Sequence, residues 1–168
     1  MAKLPLLPDL NDPSKNLVRE AWDRLSSLPG GKWAFSKAIG RIAPYSGSVG
    51  AIVEELRPGF ASVTLEDRPA VRNHLDCVHA IALVNLAEIA GNLALSYALE
   101  PDARFIVAGL SIDYVKKARG TLRAVGTCPE RLASERREYL VPVTITNRSG
   151  EVVARSELRT LVGPKRGR

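Results

Sequence analysis

The 22 residues from Val78 to Leu99 contain a single acid, Glu88, and no Lys or Arg, and this run constrains the fold more than any other part of the chain. About twenty apolar residues suffice to cross a bilayer, so a membrane span has to be weighed first. The polar residues inside the run point elsewhere. Asn85, Glu88, Asn92 and Ser96 succeed one another at spacings of three, four and four, which sets them in one stripe along an α-helix. No basic cluster flanks the run, and it has no second copy in the chain. A helix apolar on nearly every side is ordinarily buried in a protein core, so the segment predicts a central helix wrapped by other elements.

The wrapping is β-structure. Downstream, Arg104 to Lys117 alternates Ile106, Ala108, Leu110, Ile112 and Tyr114 on one face, and residues 120–127 continue with Leu122 and Ala124. Tyr139, Val141, Val143 and Ile145 form a third run, closed by Asn147-Arg148-Ser149-Gly150. Val152, Ala154, Ser156, Leu158, Thr160 and Val162 form the last. Pro142 lacks the N–H that a strand ladder needs, so it predicts an edge or a bulge. Upstream of the helix, Val49–Leu56 and Phe60–Glu66 read as strands joined at Arg57-Pro58-Gly59, with an irregular loop over 67–77.

The N-terminal part is helical. Ser14 is the expected N-cap of a helix carrying Leu17, Val18, Ala21, Trp22 and Leu25, which Pro29-Gly30-Gly31 stops. Trp33, Ala34, Lys37, Ala38 and Ile42 make a second helical pattern, ended by Pro44. Residues 1–13, with Pro5, Pro8 and Pro13, read as an extended lead-in. The expectation is an α+β chain: a helical extension over 1–44, then a domain over 45–168 with a long central helix wrapped by a curved antiparallel sheet.

Length and charge narrow the function. At 168 residues one domain is expected. Residues 1–100 have a net charge of −1 and residues 101–168 of +7, so the C-terminal third suits an anionic partner or is a solvated charged face. Aromatic residues at 5% are too few for stacking platforms on single-stranded nucleic acid, and no helix-turn-helix with a basic recognition helix is evident. Cys77 and Cys128 lie outside any CxxC, and His74 and His79 lack a third ligand, so no metal site is expected. Without a visible signal peptide the expected location is the cytoplasm.

Burying a carboxylate is costly unless it is paired, hydrogen-bonded or protonated, so Glu88 is either satisfied by Asn85, Asn92 or a partner's backbone at a subunit interface, or a general base or nucleophile in a partly dry site. The stretch Asn73-His74-Leu75-Asp76-Cys77-Val78-His79-Ala80-Ile81-Ala82-Leu83-Val84-Asn85-Leu86-Ala87-Glu88 resembles the signature of hotdog-fold acyl-CoA thioesterases of the phenylacetic-acid-pathway type. That pattern sets an Asn six residues before a His, which precedes an Asp or Glu by nine. Asn73, His79 and Glu88 keep both spacings. Leu110-Ser111-Ile112-Asp113-Tyr114-Val115-Lys116-Lys117-Ala118-Arg119-Gly120 and Gly150-Glu151-Val152-Val153-Ala154 are similar to the family's later strands. The resemblance covers about residues 45–163 and is nearest to the DUF4442 branch, which carries an N-terminal helical extension.

The resemblance implies a hotdog fold, a homodimer that can pair again into a homotetramer, and an active site between subunits. Glu88 would activate water or attack the thioester directly. Backbone N–H groups near His79, Ala80 and Ile81 would receive the oxyanion, with Asn73 and His79 orienting them. Lys116, Lys117 and Arg119 would meet the phosphates of coenzyme A, which enters as part of the substrate, with no separate cofactor, nucleic acid or membrane implied. Helix geometry agrees on its own terms. Nine residues turn the helix by about two and a half turns and advance it by roughly 13 Å, so His79 and Glu88 of one chain face apart. A two-fold partner brings such groups together.

Three departures from the pattern are visible. Asp76 and Ala80 stand where relatives commonly have Gly, and Phe105-Ile106-Val107 stands where many place a hydroxyl, with Ser111 off that position. These departures favour a second expectation, a non-catalytic acyl-CoA- or lipid-binding hotdog protein. A third, a hotdog dehydratase, rests on the fourteen residues from His74 to Glu88, but Leu75-Asp76-Cys77-Val78 lacks the Pro- and Gly-rich loop that such enzymes need.

Overall fold

The computed structural model of the chain describes residue 12 and residues 14–165, so the expected lead-in over 1–13 lies outside the described residues apart from Asp12. Helix α1 (Leu17–Leu25) is capped by Asn16, whose Oδ1 accepts the Arg19 N–H at 3.0 Å. Ser14, the expected cap, stands two residues too early. Its N–H and hydroxyl both donate to the Asp12 carboxylate, at 2.9 and 2.6 Å. Helix α2 (Gly31–Ile42) packs on α1 through Trp22 and Phe35, whose rings meet edge to face with centroids 5.1 Å apart. Pro44 ends α2, as expected from the sequence, but not the helical part. It opens a single-turn helix α3 (Pro44–Gly47), because a proline in the first turn gives up only an N–H that has no helical partner.

Strands β1 (Ile52–Arg57) and β2 (Phe60–Leu65) form a hairpin, and the loop after them contains a 3-10 turn at Pro69–Val71. The central helix α4 spans Ala80–Ala98. Four strands follow: β3 (Ala103–Tyr114), β4 (Leu122–Thr127), β5 (Arg137–Thr146) and β6 (Val152–Pro164). The antiparallel sheet runs β1-β2-β4-β5-β6-β3, so β3 forms one edge and β1 the other. Pro142 lies within β5, an interior strand, which departs from the expected edge. The ladder to β4 stops at Gly126↔Val143, one residue short of the proline, so locally its open side is still an edge.

The sheet curls around α4. Leu86, Ala87, Ala90, Ala94 and Leu95 are fully buried against Ala61, Val63, Leu122, Ala124, Ile145 and Leu158 of the strands. Each leucine so buried contributes about 1.5–3 kcal/mol. Glycines let the helix lie directly on the sheet: a Cβ on Gly126 would stand 2.8 Å from the Ala90 carbonyl oxygen. Among the described residues α4 is the one helix long and apolar enough to cross a membrane, and here its apolar faces are the core of the fold.

Candidate active site

The loop entering α4 is a tight turn built by Asn73. Its N–H donates to the Cys77 carbonyl at 2.9 Å, and its Oδ1 accepts the Leu75 N–H at 2.9 Å and the Cys77 thiol at 3.4 Å. Asp76 closes the turn with φ +53°, a left-handed backbone that suits glycine and that Asp tolerates better than most residues. The departure from Gly noted in the sequence therefore falls on a position whose backbone favours Gly. Arg119, expected at the coenzyme phosphates, instead holds this loop, donating to the carbonyls of Asp76 (3.1 Å) and Leu75 (3.4 Å).

His79 is the N-cap of α4. Its N–H donates to the Val71 carbonyl at 2.8 Å, and its Nδ1 accepts the Ile81 N–H at 3.0 Å. A neutral imidazole accepting at Nδ1 carries its proton on Nε2. The first intrahelical bond runs from the Leu83 N–H to the His79 carbonyl. With Ile81 taken by the cap, the N–H groups of Ala80 and Ala82 are the donors left at this helix start. Tyr114, at the end of β3, donates its hydroxyl to the Ala80 carbonyl at 3.3 Å. Alternation alone placed Tyr114 on a strand face, and only the register of β3 brings it to the helix start. A hollow of about 270 Å³ is lined here by Tyr45, Val71, Arg72, His79, Ile81 and Asn85.

Glu88 sits apart, half-buried on α4, with Asn92 Nδ2 3.4 Å from its Oε1. Asn85 does not pair with it. Its Nδ2 donates to the Tyr45 carbonyl at 3.2 Å, a contact no sequence signal pointed to. Among the described residues the Oδ1 atoms of Asn85 and Asn92 are both buried without a partner. The structure thus gathers Asn73, His79, Ala80 and Tyr114 around the start of α4 and leaves Glu88 nine residues further along, roughly 13 Å up the helix.

The remaining candidates are divided. Lys116 is ion-paired to Glu151 at 2.6 Å, which with Asn147 holds the Glu151 carboxyl below its ordinary range. Lys117 is exposed and has no ion pair among the described residues. Ser111 contributes its carbonyl to the Ser156 hydroxyl at 2.7 Å, and His74 is exposed in the loop. Cys77 is buried, and burial pushes the Cys128 thiol up to about 12, so that thiol is no nucleophile near neutral pH. Among the described residues no three metal-ligating side chains cluster.

The family model described as a domain of unknown function, DUF4442, matches residues 31–162. The chain belongs to the DUF4442 family. Its fold is the hotdog fold. The solved structural-genomics protein APC5556 is 31% identical with a TM-score of 0.74, over 88% of this chain and 99% of that one. A thioesterase from Haemophilus influenzae, at 17% identity, superposes with a TM-score of 0.67 over 78% of this chain and 92% of its own. The Escherichia coli PaaI protein from the phenylacetic acid degradation operon, also 17% identical, has a TM-score of 0.59 over 79% and 99%. No curated protein matches the chain in a sequence search.

In this DUF4442 chain the helical part adds a feature along α4 beyond Glu88, which does not line it. A chamber of about 400 Å³ opens between α1, the end of α2, α4 and the first residues of β3. Asn92 and Ser96 of the polar stripe line it, as does Phe105, one of the residues standing where relatives place a hydroxyl.

Proposed function

We propose that the chain hydrolyses acyl-CoA thioesters at a site that two copies build together. The observation that carries this reading is the division of α4. The His79-capped helix start presents the Ala80 N–H, while the one acid of the helix, Glu88, stands half a turn round and roughly 13 Å away. Neither end is a complete site. A two-fold axis sets the helix start of one copy beside Glu88 of the other. The twelve-residue strand β3 supports such pairing. Among the described residues it bonds β6 on one side only, leaving a long open edge.

In that arrangement Glu88 takes a proton from water, and the water oxygen attacks the thioester carbonyl carbon. The oxyanion receives the Ala80 N–H with the favourable end of the helix dipole behind it. The carbon–sulfur bond then breaks, and protonated Glu88 returns its proton to the departing thiolate. Asn73 shapes the turn, and Tyr114 and His79 position the helix start. Lys117, with Lys116 when released from Glu151, meets the coenzyme phosphates. A second reading, acyl-CoA binding without turnover, is favoured by the Ala80 methyl beside the donor and by the commitment of Arg119 to the loop.

The test is thiol release from a panel of acyl-CoAs by wild type and Glu88→Ala, with the mass in solution measured alongside. Release that falls about a hundredfold or more in the variant supports the reading. Equal rates, or no release from any thioester by wild type, overturn it.

A further inference from the structure

We infer that the N-terminal helices form the acyl-chain chamber of this site, so that α1 and α2 set which chain lengths the protein accepts. The inference rests on Glu88 being the acid of the thioester site. The apolar wall of the chamber comes from Val18 of α1, Ile39 and Ile42 of α2, Ile89 and Leu93 of α4, and Phe105 of β3. A volume of about 400 Å³ lies in the range of small-ligand sites.

Asn92 connects chamber and acid. It lines the chamber and also places its Nδ2 3.4 Å from the Glu88 carboxylate, so the reacting end of a chain lying in the chamber is one helical turn from the acid. That hydrogen bond orients the amide with its NH₂ toward the carboxylate, which leaves Oδ1 buried and unpartnered. A buried acceptor without a partner is a standing cost, and such groups concentrate where a site needs them.

Between Ile89 and Leu99 the helix advances about 15 Å, room for an extended alkyl chain rather than a short acyl group alone. Lys15, Glu100, Arg104 and Lys165 lie at the far end, where the chain would emerge toward water. The wall is firmly mounted. Asn16 donates to the carbonyls of Ser96 and Leu99, and Arg19 to those of Tyr97 and Leu99. The DUF4442 match begins at residue 31, after α1. The occupant that suits an open groove with an apolar wall, one helical turn from the Glu88 carboxylate through Asn92, is the straight alkyl chain of a medium-length fatty acyl thioester.

The test compares butyryl-, octanoyl-, dodecanoyl- and palmitoyl-CoA on wild type, Ile42→Trp and Val18→Phe. Hydrolysis and calorimetric binding are both measured, and thermal melts check that each variant folds. Filling the chamber is expected to lower the dodecanoyl-to-butyryl ratio of kcat/KM by tenfold or more, on the scale of losing one or two methylene contacts. An unchanged ratio in two folded variants that still hydrolyse thioesters overturns the chamber and leaves the hydrolase reading standing. Absent hydrolysis, with dodecanoyl-CoA binding weakened by either variant, overturns the hydrolase reading and keeps the chamber for a bound chain. Absence of both hydrolysis and binding overturns both.

Discussion

Arg19 reaches from α1 to the last turn of α4 and donates to the Tyr97 carbonyl twice, from Nε at 2.9 Å and from Nη2 at 2.7 Å. The same Nη2 stands 2.8 Å from the Leu99 carbonyl, and the guanidinium lies 5.6 Å from the Tyr97 ring centroid. The final carbonyls of a helix have no partners within it and form the negative end of its dipole, so a planar cation with several donors is well matched to them. Arg19→Ala is expected to cost about 1.5–3 kcal/mol, the range for hydrogen bonds to a charged group. Arg19→Lys should recover only part of that, because an ammonium cannot span two carbonyls as a fork does. Urea denaturation of the three proteins checks this, and equal midpoints would show that the Arg19 fork contributes nothing to holding α4.

The contact of α4 with the sheet separates two kinds of glycine. A Cβ on Gly126 would lie 2.8 Å from Ala90 O and 3.0 Å from Gly91 N, both backbone atoms of the helix. A Cβ on Gly91 would meet Leu158 Cδ2 at 2.7 Å, the end of a side chain that can turn away. Gly126→Ala should therefore cost about 2–3 kcal/mol, the upper range for overpacking. Gly91→Ala should cost less, since alanine recovers up to about 1 kcal/mol of helix propensity. Denaturant midpoints that rank the two in the opposite order would mean that the sheet, not the helix, yields.

These residues also show what a sequence can and cannot display. The stripe Asn85, Glu88, Asn92, Ser96 was legible because helical spacing alone puts those residues in line, and α4 with its surrounding strands follows from apolar period. Pro44 is legible as the end of α2, but that the same residue opens the single turn α3 has no local signal. Ser14 reads as a cap because its side chain can accept, and the contact of Asn16 with Ser96 and Leu99, which fixes the cap two residues later, has no local signal. Pro142 looked like an edge, yet whether β4 extends past it is a matter of strand length in another part of the chain. The tie of Arg119 to the turn, the hydroxyl of Tyr114 on Ala80 and the chamber between α1 and Phe105 all join residues far apart in sequence. Nothing local announces them.

Asp76 carries a prediction of its own. At φ +53° a side chain with a branched β-carbon meets the following carbonyl, whereas Asp and Gly accept this backbone. Asp76→Gly should leave stability within about 0.5 kcal/mol of wild type, because relief of the left-handed strain is offset by the greater freedom of glycine in the unfolded chain. Asp76→Val should cost about 1–3 kcal/mol. Thermal melts of the pair check the conformation of the turn. Valine tolerated as well as glycine would show that residue 76 is not held left-handed.

Asp67 ties the two loops beside the helix start, and its charge makes that tie depend on pH. Its carboxylate accepts from Arg72 Nε and from the Gly120 N–H, each at 2.7 Å, and its side chain is only 7% exposed. The Arg72 hydrogen bond, with the Gly120 N–H, holds the Asp67 carboxyl below its ordinary range against the opposing effect of burial. A carboxyl that is more acidic in the folded state binds protons more readily in the unfolded chain. The stability it contributes is therefore complete above the unfolded value of about 3.9 and is lost as the pH falls through the lower folded value. Wild type should melt at a lower temperature below about pH 4, as Asp67 gives up its charge. Asp67→Asn should melt a few degrees lower than wild type at neutral pH and lose less on acidification, so that the two curves converge in acid. Melting curves that stay parallel from neutral pH into acid would place the acid sensitivity on other carboxylates and leave the Asp67–Arg72 pair without a stabilising role.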